Sequence, residues 1–136
     1  MPVRILSAEE VREALPMRVA IEAMREAFGL LAAGRADVPL RTQVKVPGQD
    51  AVAVVMPGRC EVPLGLGAKI VSVFPRNPAA GRPLIHAVVI LLDRETGEIA
   101  ALLEGTELTA IRTGAASGRA TDLLARPDAR RVAIIG

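Results

Sequence analysis

The chain has no tryptophan and no tyrosine, and its only aromatic residues are Phe28 and Phe74. Without stacking rings, and with its basic and acidic residues interleaved (Arg18, Glu22, Arg25, Glu26; Asp93, Arg94, Glu95), it lacks the charged stripe and aromatic platforms that nucleic-acid binding requires. The formal net charge is only +2. Cysteine is nearly absent too: Cys60 alone cannot close an internal disulfide, and with the single histidine far from it in sequence it reads as a structural thiol. No apolar run reaches membrane-spanning length, and the opening MPVRILSAEE has no apolar signal-peptide core. These absences point to a cytoplasmic protein with neither membrane nor nucleic-acid partner. No metal-ligand set is assigned.

What remains is aliphatic. Hydrophobic residues make up 51% of the 136 positions, enough for a packed core. Residues 3–6 read as a short strand. Ser7 and Glu10 form a capping box that opens a helix ending near Leu15. Pro16 suits the first turn of a second helix running to about Ala33, with Val19, Ala23, Met24, Ala27, Phe28 and Leu31 as its buried stripe and Gly34 as its stop. Strands follow: 40–46, with Arg41, Gln43 and Lys45 on the polar face; 51–56, ended by Pro57-Gly58; 64–74; and a hairpin of 84–93 with 99–103 turning at Glu95-Thr96-Gly97. A long helix over 106–125 carries Leu108, Ile111, Ala115 and Leu123 at core spacing, and Ala110, Gly114 and Gly118 at every fourth residue. Such a small-residue line admits a backbone or a flat ligand. The last segment, 131–136, reads as a buried strand ending on glycine.

The expected fold class is therefore α+β: N-terminal helices packed on a mixed, mainly antiparallel sheet, then a long helix and the first strand of a Rossmann domain that is cut short. Residues 1–125 are expected to form one domain with its connecting helix, and residues 126–136 to open the nucleotide-binding domain. The terminal VAIIG is the usual lead-in to a turn that presents backbone N–H groups to a pyrophosphate.

Lys69 interrupts the apolar stretch GLGAKIVSVF. A half-buried lysine has a lowered pKa and suits proton transfer or the polarising of a carbonyl or imine; an edge-strand lysine reaching solvent is the alternative. Arg41 and Arg112 are candidates for gripping a carboxylate or phosphate if they converge, and surface salt-bridge arginines otherwise. His86, within an apolar strand, reads as a hydrogen-bonded core histidine.

The motifs from Leu66 onward resemble those of the ornithine cyclodeaminase/mu-crystallin family: Lys69 to Asn77, the turn at Asp93 to Gly97, LTAIRTGAASG at Leu108 to Gly118 and LARPDARRVAIIG at Leu124 to Gly136. The N-terminal third fits more loosely. The resemblance implies the front part of a two-domain, homodimeric enzyme, inactive by itself, that needs NAD or NADP, with residues 1–125 as its substrate-binding and dimerisation domain. It implies hydride transfer at the α-carbon of a small amino or imino acid. By it, Arg41, Lys69 and Arg112 look like substrate ligands and Lys69 like the catalytic group, while Arg112, Thr113, Gly114 and Gly136 look like cofactor contacts. The family's catalytic aspartate would lie beyond this chain. Two departures matter: residues 51–56 hold no carboxylate for a distal ammonium, and Leu84 stands where many members have a cofactor-contacting threonine. The first favours a reductase of pyrroline-2-carboxylate-like ketimines, or an alanine dehydrogenase, over ornithine cyclodeaminase; the second removes one side-chain bond to the cofactor. A mu-crystallin-like protein that binds NADPH and ligand without significant turnover is the remaining alternative.

Overall fold

A computed structural model describes residues 2–61 and 65–135. Its elements are β1 (Arg4–Leu6), α1 (Ala8–Ala14), α2 (Met17–Ala32), β2 (Ala36–Asp37), β3 (Thr42–Val46), β4 (Ala51–Cys60), β5 (Gly65–Val73), a short 3₁₀ turn (Pro78–Ala80), β6 (Ile85–Leu92), β7 (Ile99–Glu104) and α3 (Gly105–Leu124). The strands form one mixed sheet in the order β1-β7-β6-β5-β4-β2, with β3 also on β4. Only the β1–β7 pair is parallel. The α+β reading is thus the observed fold.

The local signals act as written. Ser7 Oγ accepts from the Glu10 N–H and Glu10 Oε2 accepts from the Ser7 N–H, so α1 starts on a complete capping box. Pro16 stands at the N-cap of α2, one place before the expected first turn. In the β6–β7 turn, Asp93 Oδ1 accepts from the N–H groups of Glu95 and Thr96, and Gly97 takes φ +75°.

α3 begins on the residue after β7. Glu104 caps it, its carboxylate accepting from Thr106 N–H at 2.9 Å and Glu107 N–H at 2.7 Å. Burial works against that charge, but the capped N–H groups, helped by Thr106 and His86, hold its pKa below the ordinary value. The cap's contribution is therefore in place above the ordinary glutamate pKa and is lost as pH falls through the lowered one. Gly105 makes the abrupt transition possible, since a Cβ there would lie 2.8 Å from the Ala87 backbone. Gly105→Ala is expected to destabilise the domain by about 1–3 kcal/mol, read as a lower denaturant midpoint with an unchanged slope.

All three helices lie on one face of the sheet. Val11, Ala20, Ile111 and Ala115 form their shared core, with Leu6 and Leu103 from the strands beneath. Here the expected stripe on α2 is corrected. Ala20, Ile21 and Met24 turn inward, whereas Val19, Phe28 and Leu31 stay about half exposed. The small-residue line on α3 supplies the reason: a Cβ at Gly114 or Gly118 would already touch Met17 or Ile21, so α2 settles into that line on its Met17–Ile21 side. On α3, Ile111 and Ala115 are buried as expected, but Leu123 is exposed.

Four further expectations change. β3 starts at Thr42, so Arg41 lies just before it, and both faces of β3 are largely open. β4 runs through Pro57-Gly58 to Cys60, because β3 pairs only as far as Val55 and β2 only from Arg59. Pro57 falls in that gap at the sheet edge, where a missing N–H is tolerated. His86 is exposed on the helix-free face of the sheet, not a core residue. Residues 131–135 form no strand, and Ile135 is 97% exposed; without a neighbouring strand, no ladder can hold this apolar run.

Candidate functional site

Strand alternation decides where Lys69 points. In register across the sheet, Lys69 stands beside Met56 and Val89, and Val89 beside Leu103. Leu103 packs under the helices, so this row faces α3. The Lys69 ammonium donates to Thr109 Oγ1 of α3 at 3.4 Å. Arg112 follows three residues later, on the same face of that helix.

Lys69, Arg112 and Arg59, the last paired with Asp37 at 3.8 Å, line a cavity of about 500 Å³ whose remaining walls are largely apolar, with Phe28 and Leu31 from α2 and Met56, Val89 and Leu91 from the sheet. Two facing glycines open it. Gly58 and Gly67 pair across β4 and β5 and leave the sheet bare there, and a Cβ at Gly67 would strike the Ile90 carbonyl.

The site is electropositive. Burial pulls the Lys69 pKa down first, the positive charge of Arg112 adds to this, and that of Arg41 adds again. Among the described residues, neither Arg41 nor Arg112 has a carboxylate partner or a hydrogen bond, unlike Arg12, Arg25, Arg35 and Arg119. The salt-bridge alternative for these two is therefore not what the structure shows. Lys69 and Arg112 share the cavity wall, and the charge of Arg41, just before β3, is felt at Lys69.

The other residues singled out in the sequence are distributed as follows. Thr113 is exposed on α3, and its hydroxyl donates to the Thr109 carbonyl at 2.7 Å. Gly114 faces Met17 of α2. Leu84 precedes β6 and its carbonyl accepts from the Phe74 N–H. Gly136 lies outside the described residues. Cys60 edges the cavity. Thr109, the Gly58–Gly67 pair and the cavity role of Phe28 and Leu31 escaped sequence reasoning. The local signal for Thr109 was its place three residues before Arg112.

Lys69 and Arg112, side by side in the lining of a largely apolar cavity, mark the candidate site. The chain that carries it belongs to the ornithine cyclodeaminase/mu-crystallin family, whose model matches residues 2–136. It is 41% identical over 132 residues to a Delta(1)-pyrroline-2-carboxylate reductase of Bacillus cereus, covering 97% of this chain and 41% of that protein. Its fold matches the structure of Thermococcus litoralis Delta(1)-pyrroline-2-carboxylate reductase in complex with NADH and L-proline, with a TM-score of 0.88, 41% identity, and coverage of 93% of this chain and 39% of that one. An archaeal alanine dehydrogenase dimer with bound NAD matches with a TM-score of 0.87 and 36% identity, covering 94% of this chain and 39% of that one. The chain thus spans about two fifths of the length of these relatives. No helix among the described residues is long and apolar enough to cross a membrane.

Proposed function

We propose that this chain is the substrate-holding part of an NAD(P)-dependent oxidoreductase acting on cyclic imino acids or small amino acids, of the pyrroline-2-carboxylate reductase or alanine dehydrogenase type. The observation that carries the reading is the pairing of Lys69 and Arg112 in the wall of a largely apolar cavity, with Arg41 near enough for its charge to lower the Lys69 pKa. The two arginines grip the substrate carboxylate, since each offers a fork of donors with no competing acid. Lys69, with its lowered pKa, hydrogen-bonds the substrate and delivers or accepts the proton at the imine nitrogen. The apolar walls receive the carbon skeleton. A bound nicotinamide cofactor would supply or accept the hydride at the α-carbon, and the exposed Arg112 and Thr113 on α3, with the backbone at Gly114, suit contact with it. Residues 126–136 would lead into the nucleotide-binding domain, and the single cysteine suits a reducing cytoplasm.

Diamino acids fit this site poorly. A distal ammonium needs an acceptor, and Lys69 is flanked instead by Met56 and Val89. That favours a reductase over a cyclodeaminase.

The test is an assay of the protein at the length of its relatives, with NADH and NADPH, against pyrroline-2-carboxylate, piperideine-2-carboxylate, pyruvate with ammonia, and ornithine. Reduction of the cyclic imines or of pyruvate, without ornithine turnover, is expected. Tight cofactor binding with no turnover of any of them would overturn the enzyme reading in favour of a binding protein.

Homodimerisation belongs to the same proposal. The next row in register, Val55, Ile70 and Val88, turns to the face without helices, where Ile70 is 40% and Ile5 73% exposed. An open apolar sheet face of this kind is an interaction surface, and the same face on a second copy would complement it. Ile70→Glu is expected to convert the dimer to a monomer in sedimentation velocity; an unchanged dimer would place the interface elsewhere.

A further inference from the structure

We infer that Thr109 is a positioning residue: its hydroxyl takes the hydrogen bond of the Lys69 ammonium and holds it at the Arg112 end of the cavity. The inference rests on the reading of Lys69 as the group that meets the substrate.

Lys69 needs such a partner. Its neighbours in the sheet, Met56 and Val89, offer no acceptor, and the charged groups that face it, Arg112 and Arg41, repel it. Thr109 Oγ1, at 3.4 Å, is the one hydrogen-bond partner of the ammonium among the described residues. The hydroxyl is also free for this task. Threonines within helices tend to bond back to the carbonyl four residues earlier, as Thr113 does to Thr109 and Thr121 does to Ser117. Thr109 does not; its hydroxyl turns to the lysine.

The choice of a hydroxyl has a chemical consequence. A carboxylate at this position would neutralise the ammonium and raise its pKa, locking the proton on. A neutral acceptor orients the amine and leaves the proton available for transfer. The hydroxyl keeps one donor that can reach a substrate oxygen.

The experiment uses the protein at its relatives' length and the imino acid it reduces best. Thr109→Val should lower kcat about tenfold with KM little changed, and should move the alkaline limb of the pH profile downward, because a bond favouring the charged amine is gone. Thr109→Ser should restore most of the rate. Thr109→Asp should move the same limb upward. Wild-type kcat and an unmoved limb in Thr109→Val would overturn the inference even where wild-type turnover upholds the site. If the wild type reduces no imino acid, the site reading fails by itself, and the pH dependence of Lys69 acylation by an amine-reactive ester, followed by mass spectrometry, decides the positioning claim. Acylation that sets in at the same pH in Thr109→Val, Thr109→Asp and wild type would sink it.

Discussion

Lys69→Ala is expected to reduce turnover by about a hundredfold to ten-thousandfold, the range by which a positioned acid or base contributes, while leaving helix content and self-association intact. The side chain faces the cavity and among the described residues bonds only Thr109, so its removal breaks no network among them. Steady-state rates beside sedimentation and circular dichroism check this, and unchanged rates would remove Lys69 from the chemistry. Lys69→Met carries a second expectation, with the opposite sign for stability. Burial, Arg112 and Arg41 all disfavour the ammonium, so the folded state binds its proton less firmly than the unfolded chain does. The cost to the fold is fully present below the lowered pKa and vanishes as pH rises through the ordinary lysine value. A methionine should therefore stabilise the domain most at neutral and acidic pH and progressively less at alkaline pH. Such a gain with lost activity marks a residue kept for function.

Arg112→Gln is expected to raise KM by about tenfold to a hundredfold, the worth of one or two charge-assisted hydrogen bonds to a carboxylate. Arg112→Lys should recover little, because a point charge does not reproduce a planar fork. A second readout separates this from general damage. Arg112 depresses the Lys69 pKa, so removing its charge should shift the alkaline limb of the pH profile upward in Arg112→Gln and leave it near the wild-type position in Arg112→Lys. If KM and the limb both stayed in place in Arg112→Gln, the guanidinium would not be at the substrate.

The comparison between sequence and structure turns on which interactions are local. The Ser7–Glu10 box and the Asp93–Gly97 turn act within a few residues, so their meaning could be read directly from the chain. The departures arose where burial depends on a distant partner. Phe28 and Leu31 have core spacing on α2, yet the helix seats Met17 and Ile21 against the glycines of α3 and leaves them to the cavity. Pro57 looked like a strand end because the gap between β2 and β3 on the far edge of β4 is a property of the sheet. His86 looked like a core residue because a strand pattern does not say which face the helices cover. The VAII run looked buried because sequence shows its hydrophobicity and not its neighbours.

For the site itself, sequence by itself determined the residue types. A lysine inside an apolar strand and a helix with a line of small residues were legible as anomalies, while Arg41 and Arg112 stood out through the family resemblance. Only the tertiary structure decided that Lys69 and Arg112 meet. Strand alternation turned Lys69 toward α3, helix periodicity brought Thr109 and Arg112 over it, and the Gly58–Gly67 pairing opened the space between. Convergence of residues some forty positions apart depends on sheet register and helix rotation. Those are settled by packing, which no local stretch of the chain contains.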